Sequence, residues 1–478
     1  MSLFNFQKGN KNNVPEDSAD ADLLVTDIGG DALYQAEEAD QPFQSSSPSE
    51  SVGELSDDSK LLSLAPRPST ISEAGLSVSL LLDLLVKHLQ VGGVYTIREL
   101  AEKMALSGGI VRELTEQAKA LSWIENRQSC PDGQMRYALS NLGSLQAEKT
   151  LLKNGYIGSA PIPLAQYIRV VKSQSSRSAP LSKVELDGAF KDLIFPAELI
   201  ERIGPALNSI KPILIYGKAG TGKSYFCRHL NLVFGEQVLI PYAIEVNNEV
   251  IQIFDPEIHQ SSYRAHGDDL LKLTSGFDQR WQLCQRPLVV TGGELTLDML
   301  EVKFDHNSRT YQAPVQLKAN NGILLLDDLG RQKVSPKALF NRWIVPLEER
   351  RDFLSLQSGH HFEAPFELLL LFSTNLSPKD LIDDAFLRRL GYKIPFFGLD
   401  KKQFKEIWFQ ECQAHGLLCG QEQFDYLLDH LFTKHGKDFL PCYPRDLISI
   451  MHDQIVFNKL APEINQDLLN FSWQSYFV

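Results

Sequence analysis

The segment Lys211-Pro-Ile-Leu-Ile-Tyr-Gly-Lys-Ala-Gly-Thr-Gly-Lys-Ser224 decides the fold of this chain. The apolar run at its start predicts a buried strand, and the glycine-rich residues predict a turn that leads into a helix. Gly217, Gly222, Lys223 and Ser224 fit the pattern G-x-x-x-x-G-K-[ST] of a phosphate-binding loop. Glycines let such a loop curl with positive φ angles, so that its amide groups and the following helix N-terminus face an anion.

The loop residues also indicate what the loop holds. Lys223 can reach the β- and γ-phosphates of a nucleotide, and the Ser224 hydroxyl can hold Mg²⁺. The predicted binding residues are Gly217, Lys218, Ala219, Gly220, Thr221, Gly222, Lys223, Ser224 and Tyr225.

A second apolar run, Gly322-Ile-Leu-Leu-Leu-Asp-Asp328, ends in two acids. An unbroken run of this kind predicts a buried parallel strand, and the carboxyl end of such a strand borders the ligand site of an α/β sheet. We expect Asp327 to hold Mg²⁺, through Ser224 or a water. We expect Asp328 to orient or deprotonate the attacking water.

Four further side chains are candidates for contact with the phosphates. Asn375 closes the predicted strand 366–372, where it either hydrogen-bonds the attacking water or γ-phosphate or is only a turn residue. Arg388 and Arg389 end a predicted helix, where one of them could stabilise the transferring phosphate of a neighbouring subunit, or both could be solvated. Arg445 opens a later helix and could reach the nucleotide across a cleft between domains.

Residues 1–74 differ in composition from the rest of the chain. Residues 1–70 carry thirteen acids and four basic residues, so nine of the thirteen net negative charges lie there. Few large apolar residues interrupt the Ser, Asp and Glu of this segment, which predicts a disordered acidic tail. Two apolar islands, Leu23–Val25 and Leu61–Leu64, are either short docking motifs or plain linker.

Residues 75–150 predict a winged-helix-like module of three helices and a β-hairpin. Thr96-Ile-Arg-Glu99 is a capping box at the start of the second helix. In such a module the third helix often binds DNA, but here Arg112 and Lys119 are balanced by Glu113 and Glu116. Docking to a protein is therefore favoured over docking to DNA. The overall charge of −13 also argues mildly against a protein that coats nucleic acid.

The remaining chain divides into three parts. Residues 151–182 predict a linker with a short helix over 164–172, residues 183–398 an α/β nucleotide-binding domain, and residues 399–478 a helical lid domain. The six cysteines show no metal-ligand spacing, and we expect reduced thiols in a cytoplasmic protein. No secretory signal and no membrane-spanning run are visible in the sequence.

Together these motifs resemble those of the AAA+ ATPases over about residues 183–458, more than half of the chain. The motifs that carry the resemblance are GKAGTGKS at 217–224, ILLLDD at 323–328, STN at 373–375, AFLRRL at 385–390 and YPRD at 443–446. The segment 340–350, with the hairpin-like segment after it, is similar to the MoxR and magnesium-chelatase side of that superfamily. The combination with an N-terminal winged helix resembles a group of uncharacterised bacterial predicted ATPases.

The resemblance implies a role for each matched residue. Residues 217–224 would bind ATP and Asp327 Mg²⁺, with Asn375 as the sensor on the fourth strand, Arg389 as the finger acting on a neighbour and Arg445 as the lid sensor. It also implies a ring oligomer, usually a hexamer. Asp328 departs from the family pattern, because most relatives have a glutamate there, which is one methylene longer.

Three functions agree with these features. The first is an ATP-hydrolysing ring that remodels or regulates a protein partner recruited by the N-terminal region. The second is a DNA-directed ATPase, such as a loader or regulator, that uses the winged helix. The third is a scaffold that binds ATP and hydrolyses it slowly.

Overall fold

The computed structural model describes residues 61–127, 134–175, 180–191, 193–209, 211–233, 237–261, 277–381 and 383–477. The predicted acidic tail therefore lies outside the described residues up to position 60. From residue 61 to 74 the structure differs from the prediction of disorder. Leu61, Leu62 and Leu64 pack against a hydrophobic core, and Ala65 is fully buried. These apolar side chains bury enough surface to order a short segment, so the folded chain begins earlier than predicted.

The N-terminal module combines five helices with a three-stranded antiparallel sheet of order β1–β3–β2. The predicted capping box is present, because the Thr96 hydroxyl accepts from the Glu99 amide and the Glu99 carboxylate accepts from the Thr96 amide. The assignment of this module as a winged helix stays a prediction. Its elements are α1 (Ile71–Ala74), α2 (Val78–Gly92), β1 (Val94–Thr96), α3 (Ile97–Met104), α4 (Gly108–Ala120), β2 (Ile124–Arg127), β3 (Arg136–Leu139) and α5 (Asn141–Lys153).

The chain after this module contains the central sheet and the C-terminal helices. Its elements in order are β4 (Ile162–Pro163), α6 (Leu164–Ser173), α7 (Lys183–Ala189), α8 (Ala197–Ser209), β5 (Ile213–Tyr216), α9 (Lys223–His229), β6 (Gln237–Pro241), β7 (Ala243–Val246), β8 (Glu249–Gln252), β9 (Trp281–Gln285), β10 (Leu288–Thr291), β11 (Lys303–Asp305), β12 (Thr310–Gln312), α10 (Val315–Lys318), β13 (Ile323–Leu326), α11 (Pro336–Arg342), α12 (Ile344–Glu349), β14 (Arg351–Ser355), β15 (His361–Pro365), β16 (Leu369–Thr374), α13 (Pro378–Leu381), α14 (Asp384–Arg389), β17 (Tyr392–Pro395), α15 (Lys401–Ala414), α16 (Gln421–Tyr426), α17 (Cys442–Asn458) and α18 (Gln466–Tyr476).

The central sheet consists of five parallel strands in the order β10–β13–β16–β5–β17. Every residue of β13 and β16 is buried, which explains why these strands read as unbroken apolar runs and not as alternating patterns. The register pairs Leu326 with Phe372 and Thr374 with Tyr216, so the three middle strands end at one edge. The predicted fold class, a parallel α/β sheet with a phosphate-loop strand and a helical C-terminal region, is confirmed.

The chain also forms a second five-stranded sheet, of order β11–β12–β8–β7–β4. Its strand β4 comes from residues 151–182, for which the sequence predicted a linker. The structure differs because Ile162 pairs with Ile244 and because helix α6 buries Tyr167 and Val170 in the core. The Pro, Gly and Ser residues around these apolar side chains favoured the linker interpretation.

A buried ion pair in front of β9 contacts both the N-terminal module and the segment before β4. Arg280 and Asp278 have fully buried side chains, and the Arg280 guanidinium donates to Asp278 Oδ2 at 2.9 Å. The same guanidinium donates to the carbonyls of Ala74 and Pro161 at 3.0 and 3.2 Å. These hydrogen bonds offset the cost of burying the two charges, and they fix the positions of Ala74 and Pro161 relative to Arg280.

The C-terminal helices α15 to α18 enclose a separate aromatic core. The region is helical, as predicted, and its second helix continues from α16 into a π-helical turn over Leu427–Thr433. Trp408 and Phe404 are fully buried within this core. Among the described residues, no helix is long and apolar enough to cross a membrane.

Replacing the buried Lys87 gives a test of the N-terminal module. Lys87 is 5% exposed on α2, its Nζ donates to the Tyr156 carbonyl at 3.4 Å, and burial lowers its pKa to about 8 from an ordinary value of 10.5. Between those pH values the unfolded chain binds more protons, so the free energy of unfolding of the wild type rises with pH. We expect Lys87→Met to stabilise the module near neutral pH and to lose this rise.

The measurement is chemical denaturation near neutral pH and at about pH 10. Lys149→Met is the matched control, because Lys149 is exposed on α5. If the wild type gains no stability relative to Lys87→Met over this interval, the burial argument is wrong.

Candidate functional site

The predicted phosphate loop connects β5 to α9 at the edge where the middle strands end. Gly220 and Gly222 have φ angles of 81° and 85°, in the left-handed region that glycine adopts without strain. Gly222 is the N-cap of α9, whose first residue is Lys223. The Thr221 hydroxyl donates to the Lys218 carbonyl at 2.9 Å and closes the curl. The loop therefore has the conformation that its glycines predict.

Lys223 lies across the loop and is only 5% exposed. Its Nζ donates to the carbonyls of Gly217 and Lys218 at 2.9 and 2.8 Å and to Asn375 Oδ1 at 2.7 Å. Burial lowers the pKa of this ammonium, which Asp327 and Asp328 partly oppose by their negative charge. The side chain is a cation held over the loop by neutral oxygens, and an anion bound there would be a stronger partner.

Ser224 and Asp327 form the candidate magnesium site. The Ser224 hydroxyl donates to Asp327 Oδ1 at 2.9 Å, and the same oxygen accepts from the Asp328 amide at 3.0 Å. Hydroxyl and carboxylate oxygens are the hard ligands that Mg²⁺ takes, usually one or two from the protein with the rest from water and phosphate. Among the described residues, no three His, Cys, Asp or Glu side chains cluster as an all-protein metal site. The donor set therefore fits a nucleotide-dependent Mg²⁺ ion.

Asn375 connects the loop to the second acid. Its Oδ1 accepts from Lys223, and its Nδ2 donates to Asp328 Oδ1 at 2.8 Å. Asp328 itself has a φ angle of 55°, a conformation that costs free energy in any residue with a side chain. Arg331 lies 3.7 Å from its other oxygen. Lysine, amide and acid thus form one chain of contacts along the edge of the sheet.

The structure separates the predicted arginines. Arg445 lines the same cavity as the phosphate loop, with its guanidinium 3.2 Å from Asp446 Oδ1 and its side chain 66% exposed. Arg389 is not among the residues that line that cavity, and it donates to Glu348 Oε1 at 2.7 Å. Arg388 is exposed on α14. Within one chain the structure brings Arg445, but not Arg388 or Arg389, to the loop.

A cavity of about 660 Å³ extends from the loop between the central sheet and the C-terminal helices. Tyr225 lines it and is 51% exposed. Sequence reasoning missed most of its apolar wall, for which the only signal was the apolar triplet in front of Pro196. The missed wall residues are Leu193, Ile194, Phe195, Leu199, Phe396 and Ile407. The cavity is large enough for a nucleotide, with an apolar part beside the loop.

Two contacts attach the C-terminal domain to the loop itself. Lys218 Nζ lies 2.7 Å from Asp438 Oδ2, and both side chains are mostly exposed. A Cβ atom at Gly220 would lie 2.6 Å from Cys442 Sγ, so the start of α17 packs directly on the loop. Asp438 and Cys442 carried no signal in the sequence, because their proximity to the loop depends on how the two domains meet.

Comparisons with known proteins match only parts of this chain. The model of a domain of unknown function (DUF8689) matches residues 400–475, which are the C-terminal helices. A vesicle-fusing ATPase of Dictyostelium discoideum is 30% identical over 107 residues, which span 20% of this chain and only 14% of that protein.

The solved structures that it resembles are distant. The RuvB Holliday junction branch migration motor of Thermotoga maritima shares 13% identity at a TM-score of 0.33, over 60% of this chain and 70% of that one. NtrX from Brucella abortus shares 12% identity at a TM-score of 0.36, over 68% of this chain and 59% of that one. Likenesses at this level carry no argument about the site.

Replacing Gly220 by alanine tests the loop geometry. The new Cβ would be strained at a φ angle of 81° and would clash with Cys442 Sγ, at a backbone cost of about 1–2 kcal/mol. We expect Gly220→Ala to weaken nucleotide binding at least about tenfold, as measured by titration with a fluorescent ATP analogue.

Gly188→Ala is the matched control. Gly188 lies within α7, and its added Cβ would meet no atom within 4 Å, so the control should bind as the wild type does and be slightly more stable. Equal affinities for the two variants would contradict the assigned loop.

Proposed function

We propose that this chain is an AAA+ ATPase that binds ATP with Mg²⁺ in the cavity beside the phosphate loop and hydrolyses it. The observation that carries the proposal is the 2.9 Å contact between the Ser224 hydroxyl and Asp327, beside the buried ammonium of Lys223. These three groups are a metal-ligand pair and a cation at the end of a parallel strand, which is what phosphoryl transfer to water needs.

In the proposed mechanism, each group acts on the phosphates or on the attacking water. Lys223 leaves the loop carbonyls and Asn375 to bind the β- and γ-phosphates. Bound Mg²⁺ would neutralise the charge that develops on the phosphate oxygens. Asp328 orients the attacking water and accepts its proton, and Asn375, which contacts Asp328 at 2.8 Å, positions that carboxylate.

Asp328 makes slow turnover the second candidate function. An aspartate is one methylene shorter than a glutamate, and this one is held in a left-handed conformation by the turn after β13. If its carboxylate stays too far from the water, the chain binds ATP and acts as a slow nucleotide-gated scaffold. Binding without turnover in the wild type would decide for this alternative.

The proposal includes a ring of identical subunits, with six as the expected number. Arg389 does not line the cavity of its own chain, which supports a role at the site of a neighbour, where a guanidinium would stabilise the transferring phosphate. The hairpin β14–β15 immediately before β16 supports placement on the MoxR and magnesium-chelatase side.

The proposed client is a protein recruited by the N-terminal module. On α4, Lys119 is 2.8 Å from Glu116 and Gln117 contacts Glu113, so the exposed Arg112 shares a helix whose two basic side chains are balanced by two glutamates. A DNA-reading helix needs basic side chains free to contact phosphates. ATPase assays with and without duplex DNA separate the two cases, because stimulation by DNA would favour a DNA-directed ATPase.

Lys223→Ala tests the nucleotide site. Loss of a charge-assisted bond to phosphate removes about 1.5–3 kcal/mol, so ATP affinity should fall at least about tenfold, as measured by calorimetry. Lys211→Ala is the control, because Lys211 is exposed at the opposite end of the β5 strand region and should leave affinity unchanged. An unchanged affinity in Lys223→Ala would refute the site.

Arg389→Ala tests action between subunits. The variant should bind ATP normally and turn it over at least about tenfold more slowly. Mixing it with Lys223→Ala subunits should restore activity, because each variant supplies what the other lacks. Arg388→Ala, on the same helix, is the comparison. If Arg388→Ala and not Arg389→Ala loses turnover and regains it on mixing with Lys223→Ala subunits, Arg388 is the arginine that acts on the neighbour. No restoration in either mixture would exclude action between subunits.

A further inference from the structure

One face of α15 carries a tryptophan and a cysteine that the nucleotide site does not use. Trp408 and Cys412 are four residues apart, so they lie one above the other on the same side of the helix. Both are buried in the aromatic core of the C-terminal domain, at 0% and 1% exposure. The opposite side of α15 lines the nucleotide cavity with Ile407, Gln410, Glu411 and Ala414.

The chain after α15 turns back and brings a second thiol to this face. Gly416 has a φ angle of 65°, and the Leu417 amide donates to the Cys412 carbonyl at 2.9 Å, which closes the helix end. The Leu418 amide then donates to the Pro462 carbonyl at 2.8 Å and fixes the returning segment. The next residue is Cys419, whose sulfur accepts from the Trp408 indole N–H at 3.4 Å.

The two sulfurs therefore meet over one helix face and differ in character. The Cys419 S–H donates to the Gly420 carbonyl at 3.6 Å. The hydrogen bond between the two thiols, followed by the Trp408 indole, lowers the pKa of Cys419 to about 7 against the effect of burial. The same bond and burial raise the pKa of Cys412. Cys419 is also partly accessible to solvent, whereas Cys412 is not. Cys419 is therefore suited to attack an oxidant, and Cys412 is suited to form the disulfide with the oxidised Cys419.

We propose that Cys412 and Cys419 form a reversible dithiol–disulfide site for small oxidants such as peroxides or glutathione disulfide. With hydrogen peroxide, the Cys419 thiolate attacks one oxygen, the O–O bond breaks, and a sulfenic acid and hydroxide form, the hydroxide taking up a proton to become water. The Cys412 sulfur then attacks the sulfenic sulfur, the S–O bond breaks, and water leaves with the Cys412 proton. The two thiols are oxidised to one disulfide and the peroxide is reduced to two waters.

The site lies between the end of α15 and the returning segment that carries Cys419. Closing the bond links residues that are seven positions apart and constrains the last turn of α15, which includes Glu411 and Ala414 of the cavity wall. The proposal does not require that the cavity bind ATP, because it concerns only the two thiols and their oxidant.

The test is oxidation of the full chain followed by peptide mapping. The reduced protein is treated with hydrogen peroxide or glutathione disulfide, the remaining thiols are alkylated, and the linked peptides are identified by mass spectrometry. We expect a peptide pair joined through Cys412 and Cys419 that a dithiol reductant separates. Mapping of individual residues is needed because Cys130 lies outside the described residues.

Single-cysteine variants distinguish the attacking thiol from the thiol that completes the disulfide. With glutathione disulfide, the Cys419 thiolate attacks one sulfur, the S–S bond breaks and glutathione thiolate leaves, so Cys412→Ala should stop at the glutathione adduct on Cys419, whereas Cys419→Ala should leave Cys412 reduced. Cys442→Ala is the control, because Cys442 is a partly buried thiol of the same domain, and its variant should form the disulfide as the wild type does. The proposal is overturned if either Cys412 or Cys419 of the treated wild type remains fully open to alkylation, or if Cys442 captures Cys419.

Discussion

The alignment of three parallel strands, which brings the Ser224 hydroxyl to Asp327, is the constraint on which the candidate site depends. These residues follow strands that are not neighbours, since β16 lies between β5 and β13. The contact can form only if all three strands are parallel and end at one level, which the register provides. The same geometry places Asn375, at the end of β16, between Lys223 and Asp328. One arrangement of strands therefore produces both the metal-ligand pair and the bridge beside it.

Much of this edge could be predicted because its residues follow recognisable patterns. The glycine spacing, the apolar run before Asp327 and the strand before Asn375 each specify an element, and parallel strands bring their carboxyl ends together. The contact of Asn375 with Lys223 was not predictable, because it depends on side-chain positions across three strands. Arg445 was a candidate from its place at the start of a helix and from the resemblance, although no local pattern joins that helix to the loop.

The sequence was least informative about the parts of the chain outside the central sheet. The second sheet takes its five short strands from three separate segments, and strands of two to four residues carry little periodicity. Residues 151–182 looked like a linker because Pro, Gly and Ser surround Ile162 and Tyr167, whose burial depends on distant strands. No sequence pattern predicts the ion pair Arg280–Asp278, although it fixes the N-terminal module to this region. Sequence patterns thus specified the elements of the site and not the surroundings that hold the modules together.

The most direct test of the central claim is the binding of Mn²⁺ as a spectroscopic substitute for Mg²⁺, followed by electron paramagnetic resonance. If Ser224 and Asp327 complete a metal site only together with phosphate, the protein should bind Mn²⁺ tightly in the presence of a non-hydrolysable ATP analogue and weakly without it. The Asp327→Asn variant should lose the nucleotide-dependent binding. Mn²⁺ binding that is unaffected by the nucleotide, or by the loss of the Asp327 charge, would contradict the account.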